Sequence, residues 1–318
     1  MSTIPRLVST WALMQTILAL FKVGVFACLE KEKGAHLSIV LAEKLDLKAE
    51  ELEASLHYVS LLLPGILSRN QLNEYSLGAD YFSPYFQNSL YFALAYAPVI
   101  NKIEQILAGD SLYGADVQKD HKSLGISSRI FIAKVQEELL GLLKKEEFEV
   151  CVDLGCGSGD LLTEIKRQHP CLAVGVDASR ESLEESLAID FIEGDIGSPG
   201  SWVDLIPPGK KIFIASMVLH ELLVDIARIK SLFGELRRLF PGSSMYVIEY
   251  PWLSDAELRA IPEDFRHLNA VYYYIHPLTK QGRPRSDKEW SSVFSDCKIK
   301  NVTRYQGYRG CLIYKLAL

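Results

Sequence analysis

The sequence has no internal repeat and no low-complexity segment, which excludes solenoid and fibrous architectures. It also lacks a basic surplus. With a net charge of −6, it is a poor match for a nucleic-acid polyanion, whose binding needs a cationic surface, so no nucleic-acid partner is expected. Its six cysteines, at positions 28, 151, 156, 171, 297 and 311, show no paired metal spacing and read as buried thiols of a reducing compartment. An uninterrupted apolar run of bilayer length is missing too. Residues 11–28 approach that length, but Gln15, Thr16 and Lys22 interrupt them, and no small-residue cleavage site follows. A buried or dimer-forming helix is expected there, in a cytoplasmic protein with no membrane partner. What is present is a globular composition, 48% hydrophobic and 23% charged over 318 residues, enough for two domains.

Residues 150–177 organise the chain. An apolar strand carrying Asp153 runs into a turn with Gly155, Gly157 and Gly159, then an apolar-periodic helix from Leu161, then a second apolar strand ending at Asp177. Glycines permit positive φ and let a ligand approach bare backbone. An acid ending the next strand suits a ribose diol, because a carboxylate accepts from both hydroxyls. The third glycine does not fall at the dinucleotide position, and acids at 153 and 160 would repel a pyrophosphate while tolerating an amino-acid tail beside a sulfonium. The stretch resembles the D-x-G-x-G-x-G cofactor motif of class I S-adenosylmethionine (SAM) methyltransferases. That resemblance implies SAM as cofactor, with Asp153, Gly155, Gly157, Gly159, Asp177 and Ser216 around it, Asp195 on the adenine amino group and Ile196 on the ring.

Upstream, the pattern predicts one long helix over residues 10–30, helices at 37–45 and 48–63, and a hairpin over 65–77 turning at Arg69 to Gln71. Together these make a winged helix. The presumed recognition helix opens with Glu50, Glu51 and Glu53, which suits DNA phosphates poorly. The order of elements along the whole chain is similar to that of plant-type small-molecule O-methyltransferases and their bacterial relatives, which implies that this module makes a homodimer. Residues 81–107 are rich in aromatics and read mainly as interdomain packing, with some lining an acceptor pocket. A further helix is expected over 127–144.

Past Asp177, a short helix at 181–187, strands at 189–195, 211–219 and 244–250 and a helix at 227–239 continue the alternation that forces parallel crossovers. Residues 299–304 and 311–316 should add an antiparallel edge pair. The expected fold is α/β: a Rossmann-like doubly wound sheet with antiparallel edge strands over residues 118–318, preceded by a mostly α-helical winged-helix dimerisation domain and linker over 1–117.

His220 follows the fourth strand, at the carboxyl end of the sheet where open α/β folds bind ligands. The segment Ser216 to Glu221 resembles the catalytic histidine segment of phenol O-methyltransferases, although Glu221 and Leu222 stand where an aspartate and a tryptophan are usual. His276, after the aromatic run 272–274, together with a turn at 240–244 lacking the usual glycine pair, resembles 2-oxo acid C-methyltransferases. That second resemblance implies His220, Glu221 and His276 as ligands of a divalent or trivalent transition metal, iron or zinc. Chelation of the ketone and carboxylate of a small-molecule acceptor would stabilise an enolate for methylation at C3. An arginine would then clamp the acceptor carboxylate, with Arg129 the favoured candidate beside Arg266, Arg283 and Arg285. O-methylation with His220 as general base is the alternative.

Overall fold

Gly24 adopts φ 83°, a left-handed conformation that costs glycine nothing sterically, and it breaks the long N-terminal helix in two. The computed structural model describes residues 3–180, 189–281 and 283–318, with α1 at Thr3–Lys22 and α2 at Val25–Glu32. The single helix expected over 10–30 is therefore a pair, bent by 62°. Among the described residues no single helix is long and apolar enough to cross a membrane, although this bent pair together meets the length and composition.

The chain divides into two units, one of Met1–Ala95 with Ile126–Phe131, the other of Tyr96–Gly125 with Ile132–Leu318. In the first unit β1 (His36–Leu37), α3 (Ser38–Leu45), α4 (Ala49–Leu62), β2 (Leu67–Arg69) and β3 (Glu74–Leu77) follow α2. The strands pair antiparallel in the order β1-β3-β2, so the winged-helix arrangement is present. Leu52, Leu56 and Val59 bury the inner face of α4. Glu53 ties that helix to the wing by accepting from the Tyr75 hydroxyl at 2.7 Å and from Arg69 at 3.2 Å. Some of the aromatics expected between domains pack inside this unit, with Tyr81 stacked on Phe26 and Tyr91 edge-on to Phe21.

Three helices follow: α5 (Pro84–Ile100), α6 (Ile103–Ala108) and α7 (His121–Leu143). The last starts earlier than the apolar pattern suggested because Asp120 caps it, accepting from the backbone N–H groups of Lys122 and Ser123.

The second unit carries β4 (Val150–Leu154), α8 (Asp160–Gln168), β5 (Leu172–Asp177) and β6 (Asp190–Glu193), then β7 (Lys211–Ser216), α9 (Leu219–Leu222), α10 (Ile226–Leu239) and β8 (Ser244–Glu249). Helices α11 (Asp255–Ala260), α12 (Glu263–Leu278) and α13 (Asp287–Asp296) precede β9 (Val302–Gln306) and β10 (Leu312–Ala317). The sheet order is β6-β5-β4-β7-β8-β10-β9. Its first five members are parallel, and β10 runs antiparallel to both β8 and β9. Val152, Val174, Phe213 and Val247 bury one sheet surface against Leu232, Phe233 and Trp290. The order reverses between β4 and β7, which opens a crevice at their carboxyl ends. The helix expected at 181–187 lies outside the described residues.

Candidate functional site

At the end of β4 the chain turns on Gly155 (φ 75°), Gly157 (φ 51°) and Gly159 (φ 78°). The turn is pinned to β5: Gly155 N–H donates to the Val176 carbonyl at 2.7 Å and Gly157 N–H to Asp177 Oδ2 at 2.9 Å. Asp177 Oδ1 accepts from Ser179 N–H at 3.1 Å, and a carboxylate with about four lone-pair sites can still accept from a diol. A Cβ on Gly155 would lie 2.6 Å from the Val218 side chain, whereas one on Gly157 would meet nothing within 4 Å. The loop after β7 thus packs directly onto the first glycine, and the second faces open space.

Asp153 is buried beneath this turn, and its Oδ1 has no hydrogen-bond partner among the described residues. Burial, with a smaller contribution from the Asp177 charge, pushes its carboxyl up to about 8. Ser216 Oγ, at the end of β7, is likewise buried without a partner among the described residues. An orphaned acid under a bare glycine turn, with a second acid at the next strand end, fits the ammonium and ribose of SAM. Asp195 and Ile196 also have partners within the protein, and the Asp195 side chain keeps 46% of its surface exposed. Asp195 is ion-paired to Arg228 at 2.5 Å and accepts from Gly197 N–H and Ser198 Oγ, while Ile196 is buried in the hydrophobic core.

Across the sheet reversal, α9 carries His220. Its backbone N–H donates to Glu249 Oε1 at 3.1 Å and its Nδ1 lies 2.9 Å from Glu249 Oε2. Facing a carboxylate, Nδ1 carries the proton, which leaves the Nε2 lone pair available. Burial alone would lower the imidazole pKa, but the Glu249 carboxylate outweighs it and the net shift is upward. His276 sits in the last turn of α12 with its ring centroid 5.2 Å from that of His220. Its Nδ1 donates to the Tyr272 carbonyl at 2.6 Å. Burial, followed by the neighbouring His220 charge, pushes its pKa down to about 3.

Glu221 is held by other partners. Its carboxylate accepts from the Gln281 side chain and lies 3.7 Å from Lys119 Nζ. Among the described residues no three His, Cys, Asp or Glu side chains come together as a metal set. The trio His220, Glu221 and His276 fails as a ligand set because Lys119 and Gln281 hold the Glu221 carboxylate, which leaves two histidine nitrogens and no third donor among the described residues. The donors present do not fit the expected metal.

Arg283 and Arg285 pair with Glu289, which also closes the capping box of α13 with Ser286. Arg266 lies on α12 with its Nε buried, and Arg129 is exposed on α7, in the segment that belongs to the first unit. Lys119 and Gln281 escaped sequence reasoning, since neither stands in a motif. Tyr272 was visible only as an aromatic; its spacing of four from His276 on one helix was the signal that links them.

No family model and no curated protein matches the chain. Solved structures do. Human N-acetylserotonin methyltransferase in complex with SAM is 18% identical over 100% of this chain and 98% of its own, with a TM-score of 0.73. PigF with SAH is 16% identical over 100% of both chains, with a TM-score of 0.71. The mitomycin 7-O-methyltransferase MmcR is 14% identical over 99% of this chain and 97% of its own, with a TM-score of 0.71. Over its full length, the chain has the fold of these methyltransferases.

Proposed function

We propose that the chain is a SAM-dependent methyltransferase that methylates an oxygen of a small-molecule acceptor, with His220 as general base oriented by Glu249. The His220–Glu249 pair is the observation that carries this reading. It presents an imidazole lone pair at the carboxyl end of the sheet, on a loop whose Val218 packs against the first glycine of the cofactor turn. When bound, SAM supplies an electrophilic methyl on sulfonium. His220 Nε2 takes the proton from the acceptor hydroxyl as the oxygen attacks that methyl, the methyl–sulfur bond breaks with S-adenosylhomocysteine as the leaving group, and Glu249 stabilises the imidazolium that results. Asp153 supplies a carboxylate for the ammonium of the amino-acid tail, and Asp177 accepts from the ribose hydroxyls. Methylation at C3 of a 2-oxo acid is the weaker reading, because the ligand set that its enolate would need does not assemble.

The N-terminal unit serves in this reading as a homodimerisation module, supported by Leu7, Val8 and Trp11 standing exposed on α1. A reducing cytoplasm suits the six unpaired cysteines.

The test is methyl transfer from labelled SAM to a panel of phenols and 2-oxo acids, with calorimetric binding of S-adenosylhomocysteine (SAH) to the same protein. His220→Ala should lower transfer to a phenol by about 10²- to 10⁴-fold while SAH affinity holds. A protein that binds no SAH would overturn the cofactor assignment, and full activity in His220→Ala would overturn the base.

A further inference from the structure

Two donors beside the histidine pair are poorly matched by the protein. Lys119 keeps only 8% of its side chain exposed, and among the described residues its one ion-pair partner is Glu221 at 3.7 Å. A charge-assisted hydrogen bond would close to about 2.7–2.9 Å. The Tyr272 hydroxyl is buried with no hydrogen-bond partner among the described residues, although its ring centroid is 3.9 Å from that of His276. Burying an ammonium and a hydroxyl in this way is unfavourable unless an acceptor reaches them. Glu221 is a loose partner for the cation: its side chain is 45% exposed and already accepts from Gln281. Glu221, the partner of Lys119, directly follows His220 on α9, and the rings of His220 and Tyr272 both lie against that of His276. The carboxyl under the glycine turn, Asp153, responds instead to Asp177. Lys119 therefore belongs with the acceptor side of the site.

We propose that Lys119, assisted by the Tyr272 hydroxyl, binds a carboxylate carried by the acceptor, so that the substrate class is a hydroxyaryl acid whose hydroxyl is presented to His220. The inference rests on the O-methyltransferase reading for the position of that hydroxyl. On binding, the acid displaces Glu221 from Lys119, and Glu221 keeps its hydrogen bond from Gln281 at the exposed edge.

The experiment is calorimetric binding to the full chain saturated with SAH. A panel of hydroxybenzoic and hydroxycinnamic acids is titrated, each against its neutral amide, which matches it in shape. At least one acid should bind about 10- to 100-fold more tightly than its amide, the range expected of a charge-assisted contact. Lys119→Met should abolish that difference by weakening the acid alone, Lys119→Arg should retain most of it, and Tyr272→Phe should reduce it in part. SAH affinity should be unchanged in all three. Acids that bind no better than their amides in the unsubstituted protein would overturn the subsite, and that comparison needs no variant to fold. Equal weakening of acid and amide in Lys119→Met, or loss of SAH affinity, would overturn it as well. Because binding is read without turnover, acid selectivity in a protein that transfers no methyl group would overturn the methyltransferase reading and leave the subsite standing.

Discussion

His220 Nδ1 stands 2.9 Å from Glu249 Oε2, with both side chains buried. A charge pair of this kind raises the histidine above its ordinary 6.5, and a base must be neutral to work. The rate constant kcat/KM should therefore climb with pH and level off only above 6.5. Glu249→Gln removes the carboxylate while burial and the Lys119 charge remain, so the rising limb should shift to lower pH, with the plateau lowered by about 10²- to 10⁴-fold. Stability should move the other way. The raised imidazole stabilises the fold below its unfolded pKa, and that contribution is lost as pH rises through the folded value. The difference in melting temperature between the two proteins should shrink over the same window.

Asp153 gives a second pH signature. Its carboxyl, raised from 3.8 to about 8, stabilises the fold when protonated, and that contribution is lost as pH rises through about 8. At pH 7 it is mainly protonated, and a cationic ligand should drive the proton off. SAH titrations in buffers of differing ionisation enthalpy should report proton release at pH 7. Asp153→Asn should abolish the release and weaken SAH by about 10- to 100-fold.

The first two glycines of the turn should separate by mechanism. Gly155→Ala places a Cβ at φ 75°, 2.6 Å from Val218, and should destabilise by about 1–3 kcal/mol. Because Val218 leads into α9, turnover should fall more than SAH affinity. Gly157→Ala meets no atom within 4 Å and should cost only about 1–2 kcal/mol for its left-handed backbone. Its methyl projects where the cofactor approaches, so SAH affinity should be the larger loss. Denaturant unfolding beside calorimetry distinguishes the two patterns.

Extended dialysis against a strong chelator should leave methyl transfer to a phenol unchanged, with no transition metal accounting for activity in elemental analysis. His276→Gln should retain SAH binding and most of the rate, because in the proposed reaction His220 alone takes the acceptor proton. Loss of activity on chelation, restored by added metal, would contradict the donor arrangement found around His220.

The sheet and its glycine turn were legible in the sequence because both are local. Strand alternation, the spacing of Gly155, Gly157 and Gly159, and the acids at 153 and 177 are set by neighbours within one strand-turn-helix unit, and the structure keeps each in that place. The winged helix was legible for the same reason, through helical periodicity and a polar hairpin turn. The break at Gly24 was not, since a lone glycine in an apolar run gives no measure of the bend it permits.

The sequence alone determined most strands of the large sheet, the glycine turn after the first of them and the position of His220 at a strand end. Only the tertiary structure decided what surrounds that histidine. Glu249 lies 29 residues away, Gln281 lies 60 residues from Glu221, and Lys119 comes from the segment before α7. These partners come together only when β8 pairs beside β7 and the later helices close over the sheet. For that reason, a resemblance of sequence motifs implied Glu221 as a metal ligand, although Lys119 and Gln281 hold it. Side-chain direction on a one-turn helix is set by what packs around it, and the chain's linear order does not carry that information.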